Sequence, residues 1–260
     1  MSIFNTIIEK LKTKDEVDAV FVTGSYGIAQ EKSYSDIDLV IILRKNTNKL
    51  KSVYTWIDGV FADIFFFDRD DLKRIMNAPE IPASSMEALL LSWLAKSSIK
   101  FDKTGTITAI KHDLALQEKC KVPANEQWEA WRKINYNFVA NSRYFASDDS
   151  LYHKALEIRL MYSVAELITC YFTLRGISWR GEKNAVEYLE KSAPDFYSLF
   201  QQYIASSDLQ SRFQMYQALF EKTLPSGFSR WSTEDTIIES HSNNKNQEEL
   251  LKYWRSLFLA

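Results

Sequence analysis

The sequence predicts an α+β protein whose first part combines strands with helices and whose second part is helical throughout. Up to about residue 118, apolar runs of strand length alternate with amphipathic segments of helical spacing. Beyond that point the strand-like runs disappear and long helical periodicities take over. The chain has 260 residues, of which 46% are hydrophobic and 25% charged, as in a globular protein of one or two domains. We therefore expect a first domain at 1–118 and an all-helical domain at 119–260.

The elements of the first part follow from local patterns. Apolar spacing predicts a helix over 1–12, and acidic residues at the start of 68–76 suit a helix dipole. A further helix over 84–96 has Ser84 or Ser85 as its cap. The basic, polar segment 44–58 (RKNTNKLKSVYTWID) predicts a solvated excursion. The predicted strands are 18–24 (DAVFVTG), 36–43 (DIDLVIIL), 59–67 (GVFADIFFF) and 98–105 (SIKFDKTG).

The second part contains six segments of helical periodicity. Glycine and proline residues mark the ends of several of these segments, at Gly176, Pro194, Pro225 and Gly227. Their aromatic residues fall at helical spacing, so we expect these rings in a core rather than on a stacking surface. The predicted helices are 125–145, 151–176, 182–192, 194–204, 207–224 and 248–259.

Bulk properties disfavour several classes of protein. The net charge of -2 disfavours a long nucleic-acid partner. Window 157–174 carries three charged residues and predicts a buried helix rather than a membrane span. Two isolated cysteines and a start without a basic, then apolar, leader indicate a reducing cytoplasm.

Residues 21–43, FVTGSYGIAQEKSYSDIDLVIIL, contain a candidate phosphate-binding turn and two candidate metal ligands. A strand runs into Gly24-Ser25 and then a short helical segment, a turn whose backbone N–H groups and Ser hydroxyl suit a phosphate. Asp36 and Asp38 lie one residue apart at the start of the next strand, so they share a face. Two carboxylates on one face repel each other unless a divalent cation lies between them.

A third carboxylate, Asp63, stands alone in the apolar strand FADIFFF. A buried carboxylate is costly without a partner such as a metal. If the strands at 36–43 and 59–67 are neighbours, Asp63 can join Asp36 and Asp38. Three carboxylates beside a phosphate-binding turn would hold magnesium on a nucleoside triphosphate, the arrangement that phosphoryl or nucleotidyl transfer needs.

These residues, in this order and on these elements, resemble the signature of the DNA polymerase β-type nucleotidyltransferase superfamily over residues 18–67. Residues 180–204 are similar to a helical segment of the aminoglycoside (streptomycin/spectinomycin) adenylyltransferases. The resemblance implies a nucleotidyltransferase fold, with a small mixed β-sheet, flanking helices and a closing helical bundle. A lysine near the place of Lys183 contacts the nucleotide in those adenylyltransferases, although an exposed helix-start cation is an equal interpretation.

The implied activity is magnesium-dependent transfer of AMP from ATP to a hydroxyl of a small molecule, such as an aminoglycoside-like antibiotic. Asp36 and Asp38 would hold two Mg²⁺ ions, Asp63 would bind the one that activates the acceptor, and Gly24, Ser25 and Lys183 would contact the nucleotide. The general base stays open among Asp63, Glu87, Glu157, Glu166 and water, because the helix that carries it in kanamycin-type enzymes has no acid here. Alternatives are a protein-adenylylating or antitoxin-type nucleotidyltransferase and a non-catalytic nucleotide-binding relative.

Overall fold

The computed structural model describes residues 3–24, 35–239 and 247–258. Its strands are β1 (Val17–Thr23), β2 (Ile37–Leu43), β3 (Ser52–Ile57), β4 (Val60–Asp68), β5 (Ile81–Pro82), β6 (Ser98–Asp102) and β7 (Cys120–Lys121). Its helices are α1 (Ile3–Lys12), α2 (Arg69–Asn77), α3 (Met86–Ala95), α4 (Thr106–His112), α5 (Leu114–Glu118), α6 (Ala124–Phe145), α7 (Ser150–Leu174), α8 (Glu182–Ser192), α9 (Pro194–Ala205), α10 (Leu209–Thr223) and α11 (Gln247–Phe258).

A five-stranded sheet with the order β3-β4-β2-β1-β6 forms the centre of the first part. The β2–β4 pair is parallel and the other three pairs are antiparallel. The sheet is therefore mixed, and the predicted α+β class is confirmed. The parallel pair places the start of β2 and the start of β4 at the same end of the sheet.

Each face of this sheet packs against helices. On one face, β-strand residues such as Phe21, Val40 and Phe67 form a core with α2, α3 and α4. On the opposite face, Val20, Leu39 and their neighbours pack against α1. The two faces use alternate residues of each strand, as the period of a strand requires.

Segment 44–58, predicted as a solvated excursion, contains the edge strand β3. This strand pairs antiparallel with β4, from Ser52 opposite Phe65 to Ile57 opposite Val60. The segment is largely exposed, but the prediction did not include this strand, which begins where the basic residues stop at Lys51. Ile57 is buried, whereas Tyr54 and Trp56 are exposed.

The second part packs its helices around an aromatic core. Phe138, Phe213, Tyr216 and Phe220 are buried there, and the rings of Phe138 and Phe220 lie 4.2 Å apart. These rings at helical spacing are thus core residues, as predicted, whereas others such as Tyr136 are exposed. At the start of α3, the Ser85 hydroxyl accepts a hydrogen bond from the Ala88 N–H, which settles the choice of cap. The division at residue 118 stays a prediction.

None of the helices in the described ranges is long and apolar enough to cross a membrane. Window 157–174 lies within α7, where Leu160, Val164 and Leu167 are buried in the helical core. The charges of that window accordingly belong to a helix of the bundle. A cytoplasmic location stays a prediction.

Candidate active site

Asp36, Asp38 and Asp63 come together at one end of the sheet. Asp38 lies opposite Asp63 in the parallel register of β2 and β4, and Asp36 immediately precedes β2. One carboxylate oxygen from each of the three residues lies within 4.8 Å of the others. The strand pairing that was a condition of the sequence interpretation is therefore present. We call these three residues the acidic trio.

The trio is electrostatically unfavourable when it is charged. Burial, and then the nearby charges of Asp36 and Asp63, raise the pKa of Asp38 to about 6, against a smaller opposite effect of Lys183. Burial and the charge of Asp36 also raise the pKa of Asp63. Carboxylates held this close without a cation repel each other, so a divalent cation would stabilise their ionised form.

Asp63 provides the observation that tests whether a metal fits. Its Oδ1 atom is buried and forms no hydrogen bond with any described residue. An unpaired buried carboxylate oxygen is costly, whereas a bound cation would satisfy it. Oxygen ligands of this kind suit Mg²⁺. The residues present therefore fit a divalent metal at the trio.

Gly24 ends β1 directly beside the trio. Its φ is +64°, and a Cβ atom at this position would overlap Asp38 Oδ2 and lie 3.4 Å from Asp38 Cγ. Glycine is therefore needed here both for its backbone conformation and for the close approach of Asp38. Ser25, the other residue of the predicted phosphate turn, lies outside the described residues.

A first cavity of about 350 Å³ opens beside Asp38 and Gly24. The start of α8 lines it with Lys183 and Glu187, and α3 lines it with Trp93. Lys183 therefore shares a cavity with Asp38 of the trio, although the two residues are far apart in the chain. The sequence did not point to Glu187 or Trp93, because their place depends on how α3 and α8 pack.

A second cavity, of about 690 Å³, lies along β3 and β4 between the edge of the sheet and the helices α2 and α3. Tyr54, Phe65, Met86 and Glu87 are among its lining residues. Phe65 also contacts Trp93 of the first cavity, with ring centroids 4.5 Å apart. One aromatic pair thus connects the walls of the two cavities.

The four candidate base residues have different surroundings. Asp63 belongs to the trio, and Glu87 lines the second cavity, where its Oε1 is 3.4 Å from Arg74 Nη2. Glu157 pairs with Arg212 at 3.0 Å, and Glu166 pairs with Lys133 at 2.8 Å. Neither of these last two lines the first or the second cavity.

Comparison with known proteins agrees with this geometry. Residues 5–82 match the family model described as polymerase beta, nucleotidyltransferase. These residues have the nucleotidyltransferase fold. The match includes Gly24 and the whole trio, and thus supports nucleotidyl transfer as the general activity of the nucleotidyltransferase domain.

Among solved structures, the chain is similar to the nucleotidyltransferase-like protein from Exiguobacterium sibiricum 255-15. It is 16% identical in sequence, with a TM-score of 0.41, and the match covers 85% of this chain and 73% of that one. The chain matches no curated protein sequence. The closer resemblance to aminoglycoside adenylyltransferases stays a prediction.

The raised pKa of Asp38 predicts how stability depends on pH in the metal-free protein. Between its ordinary value of 3.8 and about 6, folded Asp38 binds a proton that the unfolded chain releases. The free energy of unfolding should therefore fall as the pH rises through this window. We expect the wild type to gain about 1 kcal/mol relative to Asp38→Asn between about pH 7 and about pH 5. Urea denaturation in EDTA measures this difference, and a difference that does not change with pH would contradict the prediction.

Proposed function

We propose that the protein transfers a nucleoside monophosphate, AMP from ATP, to a hydroxyl group of a small molecule. One observation carries this proposal: the acidic trio adjoins a cavity that Lys183 also lines, and Asp63 Oδ1 has no hydrogen-bond partner among the described residues. A nucleoside triphosphate needs both a divalent cation and a positive side chain for its phosphates. Asp38 of the trio and Lys183 both line the first cavity, so the two requirements can be met at one site.

Each residue then has a role that follows from its place. Asp36 and Asp38 would hold Mg²⁺ with the bound triphosphate, and Asp63 would bind the ion on the acceptor side. When bound, the metal would polarise the phosphate and the acceptor hydroxyl and neutralise developing charge. Gly24 leaves room for Asp38. With Ser25, it would offer backbone N–H groups to the phosphates.

The proton of the acceptor hydroxyl needs a destination. Asp63 belongs to β4, which also lines the second cavity through Phe65. Burial raises the pKa of Asp63, so this carboxylate accepts a proton more readily. We assign it, or a water molecule beside it, the role of proton acceptor. Glu87 shares its charge with Arg74 and is the weaker candidate.

The activity is tested with ATP labelled at the α-phosphate, Mg²⁺ and a panel of hydroxylated acceptors that includes aminoglycosides and lincosamides. The expected result is transfer of label to an acceptor with release of one equivalent of pyrophosphate. Asp15→Asn is the matched control, since Asp15 is exposed in the turn that precedes β1. Label on protein partners instead would support the adenylylation of proteins. Tight binding of the nucleotide without transfer to any acceptor would support a non-catalytic role.

Replacing Lys183 by alanine should weaken the binding of ATP by about tenfold, because one charge-assisted phosphate contact is lost. Lys183 is exposed at the start of α8 and lines the first cavity, so the fold should survive the change. Isothermal titration with a nonhydrolysable ATP analogue and Mg²⁺ measures the effect. Lys191→Ala, an exposed lysine in the last turn of the same helix, is the control. Equal affinities of the two variants would remove Lys183 from the nucleotide site.

A further inference from the structure

Three large aromatic side chains stand exposed on the sheet face that carries Asp63. Tyr54 is 62% exposed, Trp56 is 69% exposed and Phe61 is 39% exposed. Trp56 and Phe61 are partners across β3 and β4, and their ring centroids lie 5.4 Å apart in an edge-to-face contact. We call Tyr54, Trp56 and Phe61 the ring platform.

The platform adjoins Asp63 of the acidic trio. Tyr54 is the cross-strand partner of Asp63, so their Cβ atoms are expected about 5 Å apart. Phe61 precedes Asp63 by two residues on the same strand and therefore projects from the same face, about 7 Å along it. A molecule that lies on these rings is consequently within reach of Asp63.

This exposure is unusual for an edge strand. Edge strands of soluble proteins are commonly protected by charged residues or by proline, which discourage pairing with other chains. Here β3 presents a tyrosine and a tryptophan to solvent instead. Clustered exposed rings of this kind typically mark a binding surface.

The charges of the adjoining second cavity argue against a polycationic ligand. Asp71 pairs with Arg74, and Arg74 also approaches Glu87 at 3.4 Å. Asp70 pairs with Lys73 at 3.2 Å. The carboxylate of Asp68 accepts the backbone N–H groups of Asn46, Asp70 and Asp71. The carboxylates of this wall thus already have partners within the protein, whereas the rings of the platform are exposed to a ligand.

We propose that the ring platform binds the acceptor, and that this acceptor is a small molecule in which the reacting hydroxyl adjoins a planar unsaturated ring. The inference rests on the proposed nucleotidyl transfer. The second cavity adjoins the platform at Tyr54, the one platform residue that lines it, and its volume of about 690 Å³ is that of a small-molecule site. Exposed aromatic side chains bind planar rings by stacking. The rings orient the acceptor, so that its hydroxyl faces Asp63.

The reaction at this site exchanges one phosphorus–oxygen bond for another. The acceptor oxygen forms a bond to the α-phosphorus of ATP while the bond from that phosphorus to the bridging oxygen breaks. Pyrophosphate leaves with the electron pair of the broken bond. The hydroxyl proton passes to Asp63 or to a water molecule, and the product is the AMP ester of the ring compound.

The test is ligand-observed NMR on the full chain with Mg²⁺ and a nonhydrolysable ATP analogue. The probes are 2-naphthol, 5-hydroxyindole and 7-hydroxycoumarin, with decahydro-2-naphthol as a saturated compound of the same size and tobramycin as a polycation. We expect at least one planar probe to bind about tenfold more tightly than decahydro-2-naphthol and tobramycin. Trp56→Ala and Tyr54→Ala should each lower that affinity about tenfold, and Trp56→Phe should restore most of it.

Two controls separate this inference from the proposed function. Tyr136→Ala removes an equally exposed ring on α6 and should leave the affinity for the planar probe unchanged. Trp56→Ala and the wild type should bind the ATP analogue equally well. If the wild type does not bind the ATP analogue at all, that result would count against the proposed function alone. Equal binding of the planar probes to Trp56→Ala and the wild type, or no binding to either, would overturn the inference. So would preferential binding of tobramycin, or of a single-stranded oligonucleotide that competes with the planar probe.

Discussion

Replacing Asp63 by asparagine is expected to lower the rate of nucleotidyl transfer about a thousandfold without weakening the fold. The amide keeps the size of the side chain but removes the charge that a metal ion and the acceptor proton need. Because burial raises the pKa of Asp63, the neutral side chain is more easily accommodated than the carboxylate. The melting temperature of the metal-free variant should therefore equal or exceed that of the wild type.

The metal dependence of stability gives this prediction a second measurement. Millimolar Mg²⁺ should raise the melting temperature of the wild type and have a smaller effect on Asp63→Asn, because a cation bound only to the folded state stabilises it. Asp15→Asn should behave as the wild type in both experiments, since Asp15 is exposed outside the trio. Full transfer activity in Asp63→Asn would remove this residue from the reaction and with it the basis of the proposed function.

Replacing Gly24 by alanine is the other change with a large expected effect. The new Cβ atom would overlap Asp38 Oδ2, so either β1 or the Asp38 carboxylate must move. A displacement of about 1 Å at a reacting centre lowers the rate by about a hundredfold. The positive φ of +64° adds a conformational cost of about 1 kcal/mol for any residue with a Cβ atom. Steady-state kinetics and thermal unfolding measure the two effects separately.

A second glycine serves as the control for backbone strain. Gly105 has a φ of +72°, and a Cβ atom there would meet nothing within 4 Å. Gly105→Ala should therefore lose a similar amount of stability and keep its activity. If both alanine variants retain full activity, the close approach of residue 24 to Asp38 has no catalytic importance.

The trio could be predicted from the sequence because its members lie on strands whose apolar patterns are strong. Asp36 and Asp38 share a face by the period of a strand, and Asp63 is conspicuous as one charge among phenylalanines. Only the pairing of β2 with β4 had to be assumed, and the structure shows it with Asp38 opposite Asp63. Lys183 came from resemblance alone, and the cavity it lines depends on the packing of α8.

The ring platform could not be predicted with the same ease. Phe61 and Asp63 lie two residues apart in a predicted strand, but the basic residues before Tyr54 and Trp56 suggested a solvated excursion instead of a strand. Whether these rings are buried or exposed depends on which strand forms the edge of the sheet. Strand order is a property of tertiary packing, and the sequence of β3 does not determine it. The same limit applies to Glu187 and Trp93, which enter the first cavity from separate helices.

The order of the strands has an evolutionary consequence. In the chain, residues 44–59 connect β2 to β4, yet β3 lies outside that pair at the border of the sheet. Insertions, deletions or substitutions in this connection can therefore accumulate without disturbing the register that joins Asp38 to Asp63. Such changes would alter the proposed acceptor site and leave the acidic trio in place.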